Sequence, residues 1–322
     1  MNILVTGIDG FVGSHLAEAL LRLPGIQLFG TVRSSSGHIN RLQPGITAIP
    51  TEITDPQQVQ HAIEAARPEK IFHVAGQAFV PLSITQPVET FRTNIDGTLN
   101  VLEAVRTYTQ SSKHPCRLLV VSSGEVYGAV RQDQLPIDET KPLQPSNPYA
   151  ASKACADLLA LQYRNTFGCD VVVARPFNHL GPRQSEWFVG SAFAKQIAEI
   201  KMGKREPKLF VGNLEPKRDF TDVRDVVRAY IAMLDHTLHD PVFNICSGTT
   251  VAIKDLLQTL LQLSGIQVEI LPDPKRQRTN EIPVIVGTAA RLRLATGWTP
   301  AIALSETLSD LLAYWEDRVR QS

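Results

Sequence analysis

The first thirteen residues constrain this chain more than any other stretch. Asn2-Ile3-Leu4-Val5-Thr6 is a short apolar run of the kind that forms a buried strand. Gly7-Ile8-Asp9-Gly10-Phe11-Val12-Gly13 follows at once, and Ser14-His15-Leu16-Ala17-Glu18-Ala19-Leu20-Leu21 then reads as a helix. Strand, glycine turn and helix in this order are the setting in which a glycine triplet binds a dinucleotide. The glycines let the backbone approach a pyrophosphate, and the helix start offers unpaired N–H groups and the positive end of its dipole. The spacing is G-x-x-G-x-x-G. A tight turn that merely needs small residues has the same local appearance, so the rest of the chain must decide.

Ile26-Gln27-Leu28-Phe29-Gly30-Thr31-Val32 reads as a second strand. A carboxylate at its end would grip the 2′-hydroxyl of NAD. Arg33-Ser34-Ser35-Ser36 stands there instead, and a guanidinium with hydroxyls suits a 2′-phosphate, which favours NADP over NAD. A third strand from Thr47 runs towards a capping signal at Thr54-Asp55, with a helix predicted over 56–66. Glu52 and Ile53 then fall at a strand's carboxyl end, where an adenine could pack. Lys70-Ile71-Phe72-His73-Val74-Ala75-Gly76 is a further strand ending in small residues. Asn94-Ile95-Asp96-Gly97-Thr98 leads into a helix over 99–108, and Arg117-Leu118-Leu119-Val120-Val121-Ser122-Ser123 delivers hydroxyls to the end of another β run. This alternation predicts an α/β fold with a doubly wound parallel sheet and a ligand at the strand ends.

The totals exclude several classes. The 32 basic and 32 acidic residues balance, and the pI is about 7.1, so neither nucleic acid nor a membrane surface is indicated as a partner. Cys116, Cys155, Cys169 and Cys246 are scattered, with no disulfide framework or metal-type spacing, and no metal is expected. No apolar run is long enough to span a bilayer, and the first apolar run leads straight into the glycine turn rather than a cleavage site. The expectation is a cytoplasmic protein.

Asn147-Pro148-Tyr149-Ala150-Ala151-Ser152-Lys153 carries the candidate chemistry. Pro148 suits the first turn of a helix. Tyr149 and Lys153, four apart, share one helix face. An ammonium beside a phenol favours the phenolate and is expected to lower a pKa that starts near ~10, giving an acid–base group usable near neutrality. Any surface helix with Tyr and Lys four apart would read alike.

Taken together, the pieces resemble the extended short-chain dehydrogenase/reductase family, whose members modify nucleotide sugars. The matching residues are Gly7, Gly10 and Gly13; Ala75-Gly76; Asn94 with Gly97-Thr98; Ser122-Ser123-Gly124-Glu125-Val126-Tyr127-Gly128; Tyr149 with Lys153; and Arg175-Pro176-Phe177-Asn178. The likeness spans essentially the whole chain. The resemblance implies a Rossmann-like sheet (residues 1–175 and 219–247) and a smaller mixed α/β substrate lobe (176–218 and 248–322). It implies that Tyr149 exchanges the proton on a sugar oxygen, that Lys153 supports it and holds the nicotinamide ribose, and that Ser123 hydrogen-bonds the same oxygen. Implied cofactor contacts are Gly7, Asp9, Gly10, Phe11, Val12, Gly13, Arg33, Glu52, Ile53, Val74, Ala75, Gly76, Asn94, Val121, Tyr149, Lys153, Pro176 and Asn178. Gln77, Ser123, Asn178, Val189, Lys195, Arg218, Arg278 and Glu281 are implied for the substrate, with Arg218 on a diphosphate, where a guanidinium fork suits paired oxygens. Thr279 departs from the family, whose members often carry proline there.

Within the family, Arg175 to Gln184, Phe188-Val189, Phe193 to Ile197 and Val211 to Phe220 resemble the branch that reduces the C4 keto group of GDP-4-keto-6-deoxy-D-mannose to GDP-D-rhamnose. The neighbouring branch, the GDP-mannose 4,6-dehydratases, needs an added acid–base group near the hydride site. In that branch it is a glutamate two residues after the catalytic Ser or Thr, and Glu125 has this spacing from Ser123. Gly124 stands where dehydratases carry Asp or Ser, which favours the reductase. A third possibility, a cofactor-sensing protein without turnover, is opposed by the intact Ser123, Tyr149 and Lys153. The family pairs helices matching 99–108 and 149–166 into a four-helix interface, which implies a homodimer.

Overall fold

The computed structural model describes residues 1–33, 42–234, 238, 240–276 and 282–321. The larger layer begins with β1 (Asn2–Thr6), α1 (Phe11–Leu21), β2 (Gln27–Val32) and β3 (Ile46–Pro50). It continues with α2 (Pro56–Ala66), β4 (Lys70–His73), two short helices α3 (Val80–Thr85) and α4 (Pro87–Phe91), α5 (Gly97–Ser112) and β5 (Arg117–Val121). Local chemistry explains several boundaries. Asp55 caps α2 by accepting from the N–H groups of Gln57 and Gln58, with Pro56 in the first turn. Asn147 caps α6 (Pro148–Phe167) in the same way through Ala150, and Gly168 ends it with φ 66°. Then come β6 (Val171–Pro176), β7 (Asn178–Leu180), α7 (Val189–Lys201), β8 (Lys208–Val211), β9 (Lys217–Arg218), β10 (Phe220–Asp222) and α8 (Val223–Met233). The chain finishes with β11 (Val242–Ile245), β12 (Val251–Ala252), α9 (Ile253–Ser264), β13 (Glu269–Pro272), β14 (Val284–Ile285), α10 (Ala290–Thr296) and α11 (Leu304–Gln321).

Seven strands form one parallel sheet in the order β11-β6-β5-β4-β1-β2-β3. The expected doubly wound sheet is therefore present. Its order reverses between β1 and β4, so the loops leaving those two strands diverge and open a crevice at their carboxyl ends. One face is covered by α1 and α8 through Leu16, Leu20, Val226 and Tyr230, the other by α2, α5 and α6 through Ile63, Leu102, Val105 and Ala160. Both faces being buried explains why the strands read as continuous apolar runs rather than alternating ones.

A second core joins α7, α9 and α11 through Phe193, Ile197, Leu257, Leu311 and Trp315, beside the small pairs β7–β10 and β8–β13. This is the expected smaller lobe. Its boundary needs one correction, because residues 290–298 do not stay in it. Leu292 and Trp298 pack into the α1–α8 core, and the Trp298 indole donates to the Asp225 carbonyl at 3.0 Å. Among the described residues no helix is long and apolar enough to cross a membrane.

Candidate active site

The crevice begins at the glycine turn. Gly7 has φ +67°, a left-handed conformation that favours glycine. A Cβ on Gly13 would lie 2.2 Å from the Gly7 carbonyl oxygen, so α1 starts this close to β1 only because residue 13 lacks a side chain. Gly7 N–H also donates to the Thr31 hydroxyl at 3.1 Å, which ties the turn to β2. Gly10 is the N-cap of α1, no side chain caps it, and no acidic residue occupies the first turn. The N–H end is thus open to an anion, as a dinucleotide pyrophosphate requires. Arg33 is exposed at the end of β2.

Across the crevice α6 presents Tyr149 and Lys153, both buried. The Lys153 ammonium donates to the Val121 carbonyl at 2.6 Å, where β5 ends. Burial pulls its pKa from 10.5 down to about 8. The Ser123 hydroxyl hydrogen-bonds the Tyr149 phenol and also accepts from the Glu125 N–H at 3.1 Å. The expected acidification of the phenol is overturned: burial drives the Tyr149 pKa above its ordinary value, and the Glu125 carboxylate pushes the same way. The Ser123 hydrogen bond opposes them. The reason is desolvation, since the buried phenol would have to carry the phenolate charge away from water.

Glu125 is half-buried beside the phenol and accepts from the Asn147 amide at 3.1 Å. Asn147 therefore does two things, capping α6 with its oxygen and holding Glu125 with its nitrogen. Sequence reasoning missed this, although an Asn before a helix-starting Pro is itself a capping signal. It also missed Phe177. A Cβ on Gly124 would meet the Phe177 ring at 2.9 Å, and one on Gly287 would meet it at 2.5 Å. The ring thus fills the space that a side chain at position 124 would need. Asp219 was missed too. Buried beside Arg218, it accepts from the N–H groups of Ser247, Gly248 and Gly287, which ties the loop after β11 and the loop after β14 together.

Several implied contacts are placed differently. Ile53 is committed to the core against Gly97, with its carbonyl accepting from Asn100 at 3.0 Å, while Glu52 is exposed after β3. The Asn94 side chain is consumed by three partners, the N–H and C=O of Gln77 and the Ser152 hydroxyl. It shapes the crevice wall rather than offering a free group. Gln77 folds its own amide back onto Thr90 and the Phe79 N–H. Gly76 lies against Asn94, and a Cβ there would sit 3.6 Å from the Lys153 nitrogen. Val74 and Ala75 precede it, half-buried, and Pro176 is buried ahead of Asn178, which is exposed. Val189 starts α7, and Arg218 ends β9. Lys195 is taken elsewhere: it pairs with Glu186 and Glu199 and lines a cavity of about 720 Å³ whose walls include none of Ser123, Tyr149 or Lys153. Arg278 and Glu281 lie outside the described residues. Among those described, no group of three or more His, Cys, Asp or Glu could hold a metal ion.

A family model described as GDP-mannose 4,6 dehydratase matches residues 4–311. The chain belongs to that family, within the extended short-chain dehydrogenases/reductases. It is 37% identical over 327 residues to the GDP-6-deoxy-D-mannose reductase of Pseudomonas aeruginosa, covering 99% of each chain. It is 28% identical to the GDP-mannose 4,6-dehydratase of Yersinia enterocolitica, covering 96% of this chain and 92% of that one. Among solved structures, RMD from Pseudomonas aeruginosa complexed with NADPH matches with a TM-score of 0.84 and 35% identity over 99% of this chain and 100% of that one. The UDP-glucose 4-epimerase of Thermotoga maritima with UDP-glucose matches at 0.89 and 28%, with the same coverage.

Proposed function

We propose that this protein reduces the C4 keto group of GDP-4-keto-6-deoxy-D-mannose to give GDP-D-rhamnose, with NADPH favoured over NADH. The observation that carries the reading is the convergence of Ser123, Tyr149 and Lys153 beside an uncapped glycine-turn helix, in a chain 37% identical to a GDP-6-deoxy-D-mannose reductase. A nicotinamide cofactor supplies the hydride. The chain's own groups do the rest. The N–H groups opening α1 hold the pyrophosphate, and Arg33 meets the 2′-phosphate. Ser123 fixes the sugar carbonyl by a hydrogen bond. Tyr149 gives its proton to the oxygen as charge develops there, and Lys153 keeps a positive charge beside the phenolate that remains. Asn178, Val189 and Arg218 receive the GDP portion, with Arg278 and Glu281 completing it.

A second reading, GDP-mannose 4,6-dehydratase, is favoured by the family model and by Glu125 standing next to Tyr149. Against it, the space at Gly124 is filled by Phe177, and Glu125 is engaged by Asn147. A homodimer through helices 99–108 and 149–166 is supported by apolar side chains left in water there, Leu158 at 58% and Leu99 at 37% exposure. The four free cysteines, Cys116, Cys155, Cys169 and Cys246, fit a cytoplasmic location.

The deciding experiment follows NADPH absorbance with GDP-4-keto-6-deoxy-D-mannose, and separately looks for a 4-keto sugar formed from GDP-mannose alone. Consumption of NADPH in the first and no keto sugar in the second are expected. Keto sugar without added reductant, abolished by Glu125→Gln, would replace the reductase with the dehydratase. Nucleotide binding with neither reaction would point to a cofactor-sensing protein.

A further inference from the structure

One buried polar chain was not needed for the chemistry above, yet it joins both halves of the crevice. The Thr98 hydroxyl donates to the Asn94 carbonyl at 2.7 Å, and a carbonyl can only accept. Its single proton is therefore spent, so Thr98 must accept in its 3.1 Å contact with His73 Nε2. Nε2 carries the hydrogen. On the other side His73 Nδ1 lies 2.8 Å from the Thr6 hydroxyl, whose oxygen already accepts from the Ala75 N–H at 3.2 Å. The arrangement that satisfies every group has Thr6 donating to an unprotonated Nδ1. His73 is thus neutral and in one tautomer. Lys153 is close enough to oppose a second cation, and burial opposes it more strongly.

The chain does not end at Thr98. Asn94 grips the backbone of Gln77 on both sides and donates to the Ser152 hydroxyl at 2.8 Å, which in turn donates to the Tyr149 carbonyl at 2.7 Å. Thr6, His73, Asn94, Thr98 and Ser152 are all buried. Thr6 immediately precedes Gly7, and Ser152 lies between Tyr149 and Lys153. The links run from the glycine turn, through the loop after β4 and the π-helical turn Arg92–Asp96, to the catalytic turn of α6.

We infer that His73 is a positioning residue, whose neutral Nε2–H form is the middle link setting the register between the glycine turn and the Tyr149–Lys153 turn. The inference rests on Tyr149 and Lys153 acting on a substrate beside a bound nucleotide, but it is tested separately from the identity of that substrate. Such a chain transmits position because each hydroxyl has a single proton to direct, so cutting any link frees the next.

The first test is ¹⁵N NMR of the full chain with labelled histidine. A neutral Nε2–H imidazole for His73 at pH 7 is expected, and an Nδ1–H tautomer or an imidazolium would overturn the inference. The second test measures NADPH Kd and kcat for Thr6→Val, Thr98→Val and the double variant. Each single change is expected to weaken NADPH and lower kcat about tenfold, as a buried hydrogen bond is lost, and the double variant should be little worse than either. Multiplying effects, near a hundredfold in the double variant, would mean two independent packing defects and would sink the idea. His73→Gln keeps one acceptor and one donor, and should restore most of the kcat lost in His73→Leu with an unchanged sugar KM. Were the assumed sugar not turned over by the parent protein, the NMR and Kd results would still decide the matter.

Discussion

Replacing Lys153 by methionine should make the protein more stable while destroying its activity. Lys153 is only 8% exposed, and among the described residues its ammonium has one hydrogen-bond acceptor, the Val121 carbonyl at 2.6 Å. The fall of its pKa from 10.5 to about 8 corresponds to a cost of about 3 kcal/mol for keeping that charge in the folded protein at pH 7. Methionine fills a similar volume without the charge. It leaves the Val121 carbonyl without its donor, which takes back about 1 kcal/mol. Lys153→Met should therefore be more stable than the parent by about 2 kcal/mol at pH 7.

The stability difference depends on pH. Between pH 8 and 10.5 the unfolded chain keeps a proton on Lys153 that the folded protein has released. Stability rises with pH wherever the unfolded state binds more protons. The parent must then gain on the variant across that window, and the advantage of Lys153→Met should shrink from pH 7 to pH 10.5. Urea unfolding of both proteins, without added nucleotide, reads the difference directly and cancels the groups they share. A variant less stable than the parent at pH 7, or a gap that ignores pH, would refute the claim that burial strains this ammonium.

Three further outcomes follow from the geometry. Gly13→Ala sets a methyl 2.2 Å from the Gly7 carbonyl oxygen and 2.8 Å from the Ile8 Cα, all backbone, so it should cost about 2–4 kcal/mol and abolish NADPH binding measured by fluorescence titration. Asp157 and Arg175 form a buried ion pair at 2.7 Å, and Arg175 also donates to the Tyr127 hydroxyl at 2.9 Å. Asp157→Ala strands the guanidinium and should lower the urea-unfolding free energy by about 3–5 kcal/mol, whereas a loss under 1 kcal/mol would show that water reaches the site. Tyr149→Phe should keep the NADPH Kd and lower kcat by about 10²–10⁴, since only the proton is removed, and unchanged turnover would take Tyr149 out of the acid role.

The fold was largely legible because its signals are local. Glycine spacing, strand-like runs and the Asp55 cap depend on neighbours in sequence, and the observed α2 begins and ends where the cap and periodicity put it. The candidate trio of Ser123, Tyr149 and Lys153 could be picked out for the same reason, two of its members being one helical turn apart. What escaped depends on partners far along the chain. Nothing in the sequence around Ile53 says that Gly97 will lie on it, or that Asn94 will be exhausted by Gln77 and Ser152. Lys195 has the composition of a phosphate contact, but its helix turns it towards Glu186 and Glu199. Residues 290–298 carry no mark of rejoining the larger core, because that depends on where Trp298 finds room.

The raised Tyr149 pKa bears on the proton transfer proposed for this site. A phenol acidified in advance would be partly ionised at neutral pH, and an ionised phenol has no proton to give. Reduction of a ketone needs the reverse, a donor that arrives protonated and loses its proton only when a stronger base appears. The alkoxide left by hydride addition is such a base. In the proposed reduction, burial and the Glu125 carboxylate would keep the proton on Tyr149 until then, and the Lys153 ammonium on the same helix face would provide positive charge for the phenolate once it forms. The burial that costs Lys153 its solvation also strengthens that attraction, because the low dielectric raising both penalties magnifies the interaction between opposite charges. On this account the two perturbed groups are adapted to the charge distribution after hydride transfer, and the strain on Lys153 in the resting protein is relieved at the step it assists.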